Sequence, residues 1–250
     1  MGRCACSRNW LRKALKLGVI GCVRMRHELG LRCKQKRKFK ATINSRHDFP
    51  VAENLLNQTF EPTRPNEVWV AHITYISTGE GWLYLAGVKD VFTCDLVSYA
   101  MGARMTQGLT AQALWRGVRH KRPAMGLIHH SDRGSQYCAD DYRKLVKQFG
   151  MLASMSRKRN CCDNAPMESF WGSLKNQLIH HRYATRADAE LAIKEYIEIF
   201  YNRQRRHSRL GYVSPAQLAK NISKTTHRFP TSLEALDRRF AWRCREISQH

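Results

Sequence analysis

Apolar residues recur with two different periods along this chain, and the places where the period changes divide it into elements. Val68 to Ile76 is rich in β-branched and aromatic residues and is apolar on both faces apart from His72 and Thr74. A strand buried on both sides, and so central in a sheet, has this composition. Gly79-Glu80-Gly81 marks a turn, Trp82 to Val88 a second strand, and Leu96 to Ala103 a third after the polar break Thr93-Cys94-Asp95. Short connections make the three an antiparallel meander. A helix is predicted over Leu109 to Arg119, then a short strand, Gly126 to His129, running into Asp132. Tyr142, Leu145, Val146 and Phe149 fall at i, i+3, i+4 and i+7, the stripe of a helix that Asp140 or Asp141 is expected to cap. Met151 to Met155 reads as a strand. Pro is favoured in a first helical turn, so a helix carrying Glu168 is predicted to begin at Pro166. The last long helix fits Ala187 to Tyr201, with Ile193, Tyr196, Ile197 and Phe200 facing inward.

The remaining segments lack that patterning. Residues 1–48 are strongly basic, with a dense run from Lys34 to Lys40, and Val23 to Leu31 suits a helix ending at Gly30. That segment fits a DNA-binding arm and a solvated basic tail equally well. Residues 49–65 show little periodicity and read as a linker, 66–222 as the main domain, and 223–250 as a separate tail.

Composition narrows the class. With 250 residues and 43% hydrophobic content, the chain can bury a full core. Its 43 Lys and Arg against 20 Asp and Glu leave a net charge of +23. Such a charge opposes compaction unless a polyanion neutralises it, and nucleic acid is the partner that chemistry selects. The nine cysteines are scattered without Cys-x-x-Cys or disulfide-framework spacing, as expected of reduced thiols. The longest apolar run, Leu17 to Val23, is far short of the roughly 20 residues of a membrane span. Arg24-Met25-Arg26 follows it with no small-residue cleavage site, so no membrane association is expected and the cytoplasm is the default.

Two acids then stand out. Asp132 follows a short apolar strand and precedes Arg133-Gly134-Ser135, a sharp turn at a strand end. A metal ligand and a turn-forming Asp both occur in such a place. Glu168 lies on a helix whose Phe170, Leu174 and Leu178 stack on one face. At about 100° per residue Glu168 falls about 200° from Phe170, and Lys175 returns to within about 20° of Glu168. The helix hides an apolar stripe and presents an acid and a cation together on the other side.

At this point the residues resemble a known family. Trp69-Val70-Ala71-His72-Ile73-Thr74-Tyr75-Ile76, Gly81-Trp82-Leu83-Tyr84-Leu85, Ile128 to Tyr137, Asp163 to Trp171 and Tyr201 to Tyr212 match motif blocks of bacterial insertion-sequence transposases. The match is to those with an integrase catalytic core of the DDE type, the second-reading-frame proteins of the IS-three group. It covers roughly Arg37 to Asn221. The resemblance implies an α/β, RNase H-like mixed sheet with a three-strand antiparallel meander and flanking helices. It also implies metal-dependent DNA strand cleavage and strand transfer, with two Mg²⁺ held by three carboxylates. Asp132 and Glu168 match the second and third of these, and are the expected metal ligands. Lys175 matches the basic residue that contacts substrate DNA. The implied partners are the element's terminal repeats and target DNA, a homo-oligomer on DNA, and the first-reading-frame protein. The implied setting is a bacterial cytoplasm, in association with the nucleoid.

The first carboxylate position holds His72. An imidazole offers one nitrogen lone pair and no negative charge, whereas Mg²⁺ prefers oxygen. A crippled catalytic site is therefore expected, with Mn²⁺ or Zn²⁺ better tolerated than Mg²⁺. Asp90, at the end of the neighbouring strand, is expected to be structural. Cys162 stands where the family usually has Tyr. Residues 1–22 do not match the family's helix-turn-helix region, of which 1–48 would be a remnant, and 223–250 match nothing in it; both ends suggest a frame shift or read-through. Arg157, Lys158 and Arg159 in a basic loop, and Arg203, Arg205 and Arg206 after the last helix, are expected to meet phosphate. His129 and His130 are expected to pack or hydrogen-bond, His180 and His181 to end a helix, and Phe170 and Trp171 to belong to the core. Three functions follow for comparison: an active or decayed transposase, a non-catalytic DNA-binding protein that occupies element ends, and a nuclease acting on RNA–DNA hybrids.

Overall fold

A five-stranded sheet in the order β3-β2-β1-β4-β5 organises the molecule. The computed structural model describes residues 19–31, 49–158, 160–178 and 182–226. The strands are β1 (Val68–Thr78), β2 (Gly81–Asp90), β3 (Leu96–Gly102), β4 (Ile128–Ser131) and β5 (Leu152–Met155). Strands β1, β2 and β3 form the antiparallel meander, and β4 and β5 add to β1 in parallel. The strand apolar on both faces is thus central, with a helical layer over each side.

The helices are α1 (Val19–Glu28), α2 (Gln107–Lys121), the single turn α3 (Ser135–Cys138), α4 (Asp140–Gln148), α5 (Ala165–Leu178), α6 (Arg186–Glu195) and α7 (Pro215–Thr226). One face of the sheet sends Val70, Leu83 and Leu85 against Met167, Phe170, Trp171 and Leu174 of α5 and Ile193 of α6. The other sends Trp69, Ala71, Ala86 and Val88 against Leu109, Ala113 and Leu114 of α2 and Tyr142 and Val146 of α4. Alternate residues of β1 therefore serve different cores, as the period of two requires.

Several boundaries differ from expectation for identifiable reasons. Ala139 is the N-cap of α4, so neither Asp140 nor Asp141 caps it. Both lie in the first turn, where Asp140 meets Arg143 and Asp141 meets Lys144. β4 starts two residues later than expected, because Gly126 has φ +89 and turns the chain, its N–H bonded to the Gly150 carbonyl. α5 is preceded by a 3-10 turn over Cys161–Asn164. α6 opens with a capping box between Thr185 and Asp188 and continues as a π-helix over Tyr196–Gln204. Helix α1 ends as expected, with Gly30 at φ +62.

Residues 49–65 contain no helix or strand, yet they lie on the core. Leu56 is buried, the Leu55 N–H donates to Ser154 Oγ, and the Met155 N–H donates to the Glu53 carbonyl. Helix α7 runs through the boundary expected at 222. Arg159, His180, His181 and residues 227–250 lie outside the described residues, as do 1–18 and 32–48.

Candidate active site

β1 and β4 run parallel with Ala71 opposite Ser131, so the next residues along each strand, His72 and Asp132, stand side by side. The Asp132 carboxylate divides its work. Oδ1 accepts the Gly134 N–H at 2.8 Å and makes the turn, while Oδ2 lies 3.2 Å from His72 Nε2. The turn-forming role of an Asp at a strand end is thus met by Oδ1, while Oδ2 is turned to the imidazole.

Helix α5 brings the third group. Asn164, just before it, donates from Nδ2 to the Ala71 carbonyl at 3.1 Å and ties the helix start to β1 beside His72. Glu168 then reaches the site with Oε1 3.8 Å from His72 Nδ1, beyond hydrogen-bonding distance. The three side chains are mostly shielded, Glu168 being the most open at 29% exposure.

His72 Nδ1 has a different partner. The indole N–H of buried Trp171 donates to it at 3.0 Å. Gly87, the cross-strand partner of His72, makes room for that indole: a Cβ there would stand 3.0 Å from the ring. With Nδ1 accepting from Trp171, the neutral ring carries its proton on Nε2 and donates it to Asp132. Burial alone would lower the His72 pKa, but the Asp132 hydrogen bond and the Asp132 and Glu168 charges outweigh it, and the pKa is raised. A proton added at Nδ1 would oppose the indole N–H and draw the ring toward Glu168.

The other expected residues separate into two groups. Lys175 lies on the Glu168 side of α5, its Nζ 5.2 Å over the Tyr75 ring. Lys158 and Arg203 are exposed, and Arg206 lies with Arg203 in a cleft beside Tyr212 and Gln217. Arg205 packs 5.8 Å over the Tyr201 ring. Arg157 is committed elsewhere: its Nε and Nη2 donate to the Asp163 carboxylate at 3.0 and 2.8 Å. His129 and His130 are buried and bonded to Tyr142, Ser154 and Ser156, as expected of packing residues. Asp90 is buried and accepts the Asn66 and Phe92 N–H groups, a structural role.

Three residues beside the site were not foreseen in these positions. Trp171 was expected only in the core, although about 60° of helical turn separates it from Glu168. Gly87 carried no signal beyond being a glycine within a strand. Lys89 is buried behind the start of α5, donates to the Pro166 carbonyl at 3.0 Å, and is held down to about 8 by burial.

Comparison with known proteins bears on the family and the fold. The integrase core domain family matches residues 62–161, and a second integrase core domain family matches 150–215. An insertion element IS600 uncharacterized 31 kDa protein of Shigella sonnei is 68% identical over 194 residues, 77% of this chain and 71% of the relative. Transposase InsF for insertion sequence IS3A of Escherichia coli (strain K12) is 44% identical over 197 residues, covering 78% and 68%. A chain of the cryo-EM structure of the simian T-cell lymphotropic virus intasome, in complex with PP2A regulatory subunit B56 gamma, matches with TM-score 0.52 at 15% identity. That match covers 81% of this chain and 67% of the other, and at such identity it speaks for the fold alone. The sheet order, the motif blocks along it and these relatives lead to one conclusion: the chain belongs to the insertion-sequence transposases of the IS-three group, with an RNase H-like integrase catalytic core.

Proposed function

We propose that this chain is a DNA-binding transposase whose strand cleavage and strand transfer are impaired at residue 72. Its substrates on this reading are the element's terminal repeats and target DNA, and it works as an oligomer on DNA, with the first-reading-frame protein as a further partner. Cytoplasmic, nucleoid-associated placement belongs to the same proposal; among the described residues, no helix is long and apolar enough to cross a membrane.

The single observation that carries the proposal is the 3.2 Å approach of His72 Nε2 to Asp132 Oδ2. An ion bridging the carboxylates would sit about 2.0–2.1 Å from its oxygens, in space the imidazole occupies. The other ring nitrogen is engaged by Trp171. Among the described residues, no group of three or more His, Cys, Asp or Glu is placed to hold a metal. The residues present do not fit a pair of Mg²⁺ ions, and no chemical step is assigned to them. With an acid at position 72, Asp132 and Glu168 would supply the remaining oxygen ligands for Mg²⁺ or Mn²⁺.

The net charge of +23 supports retained DNA binding. A chain that binds without cutting would occupy element ends and compete with intact transposase. The test is a strand-transfer assay on terminal-repeat duplexes with the parent and the His72→Asp variant. Activity only in the variant supports the proposal. Equal activity in both removes residue 72 as the lesion.

A further inference from the structure

Beyond β4, which pairs with β1 only as far as Ala71, and beyond β3, which pairs with β2 only from Tyr84 onward, the β1–β2 hairpin projects as a two-stranded ribbon. Segment 183–186 braces its tip. Thr78 bridges to Tyr183, the Gly79 N–H donates to the Tyr183 carbonyl, and the Arg186 guanidinium donates to the Glu80 and Trp82 carbonyls. The ribbon is held at its backbone while one face keeps Ser77 and Trp82 exposed, with Tyr75 and Tyr84 half-buried beside them.

That face is aromatic. Tyr75 pairs across with Tyr84, and Ser77 with Trp82, so all four share one side. Tyr75 meets Trp82 edge to face at 4.8 Å between centroids and lies 6.4 Å from Tyr84. Trp82 is 49% exposed, and its cross-strand neighbour is a small exposed serine that leaves the indole uncovered. Lys175 stands over Tyr75, seven residues along α5 from Glu168. At about 1.5 Å per residue that is about 10 Å, the length of about three nucleotides of one strand at about 3.4 Å each.

We infer that the Tyr75–Trp82 face is a base-stacking site for an unpaired nucleotide of a DNA strand that lies along Lys175 toward Glu168. An aromatic ring beside a cation is the chemistry that binds single strands without sequence preference: the ring takes a base face and the ammonium a phosphate. Bases inside a duplex cannot use it, because both of their faces are already stacked. The inference rests on the DNA-binding reading above and adds to it a preference for frayed or single-stranded ends.

The experiment compares the full chain with Trp82→Ala and Trp82→Phe on two short DNA duplexes of one sequence, one blunt and one with a three-nucleotide overhang. The parent is expected to favour the overhang. Trp82→Ala should lose about tenfold in affinity for the overhang duplex and nothing for the blunt one, while Trp82→Phe keeps most of the preference. An abasic overhang should remove the preference from the parent. Equal weakening on both duplexes, or parent-like binding by Trp82→Ala, overturns the stacking site and leaves DNA binding intact. Failure of the parent to bind either duplex overturns DNA binding itself, and a parent that instead captures only other proteins through this face overturns the nucleotide assignment.

Discussion

Trp171 Nε1 donates a hydrogen bond to His72 Nδ1 at 3.0 Å, joining two residues 99 positions apart on α5 and β1. The contact fixes the imidazole so that its other nitrogen faces Asp132. Replacing Trp171 by Phe keeps most of the apolar volume and removes the donor. A loss of about 1–2 kcal/mol in unfolding free energy is expected, measured by urea titration. In a His72→Asp background the same indole would meet a carboxylate oxygen, and Trp171→Phe should then lower activity more than stability. A Trp171→Phe chain as stable as the parent would show that the indole hydrogen bond contributes nothing.

Asp163 anchors the segment before β1. It is fully buried and accepts hydrogen bonds from Asn54 Nδ2, Gln58 Nε2 and the Arg157 backbone and guanidinium. The Arg157 side chain, foremost among these, holds its carboxyl well below the usual carboxylate range. A folded-state pKa below the unfolded one adds stability above about pH 4, lost as pH falls further. Asp163→Ala should cost about 2–4 kcal/mol, because buried donors lose their acceptor. It should also expose residues 49–65 to protease in limited digestion; unchanged digestion would contradict the anchoring role.

Two buried histidines, His129 and His130, and the half-buried His207 set a second acid limit. Burial holds His129 down to about 3, His130 to about 4 and His207 to about 3. Unfolded, each titrates near about 6.5. The unfolded chain therefore takes up protons first, and stability falls as pH drops below about 6.5. His72 has the opposite sign: its raised pKa favours the fold below about 6.5, and that gain is lost as pH rises through the raised value. Three groups outweigh one, so the urea midpoint should drop between pH 7 and pH 5, and His129→Gln should flatten the slope. A midpoint that stays constant over that range would count against the burial of neutral imidazoles.

The basic residues are expected to divide by their partners. Arg203 and Lys158 are exposed, whereas Arg157 is tied to Asp163. Arg203→Ala should weaken DNA binding to all sequences alike and reduce the slope of log K against log salt by about 1. Arg157→Ala should leave that slope unchanged and lower the urea midpoint instead. The reverse pattern would exchange their roles.

Much of this was legible in the residues, because period and composition report burial. The all-apolar stretch of β1 announced a central strand, and the stripe of α5 put Glu168 and Lys175 on one side. What escaped depends on contacts that periodicity does not encode. Trp171 lies at the margin between the apolar stripe and the Glu168 face, and its indole reach is set by the space at Gly87. Residues 49–65 have no period, yet they dock through single side chains such as Asn54 and Leu56. Arg157 reads as a free cation in a basic loop, because the sequence does not show that the Asp163 carboxylate six residues on turns back to pair with it.

The central claim is that residue 72 decides whether Asp132 and Glu168 can hold divalent ions. Titration of the parent and of His72→Asp with Mn²⁺, followed by electron paramagnetic resonance of the free ion, measures this without DNA. The parent is expected to hold Mn²⁺ far more weakly than the variant, which binds it at the carboxylates, with loss of that tighter binding in His72→Asp combined with Glu168→Gln. Equally tight binding by parent and variant would contradict the claim.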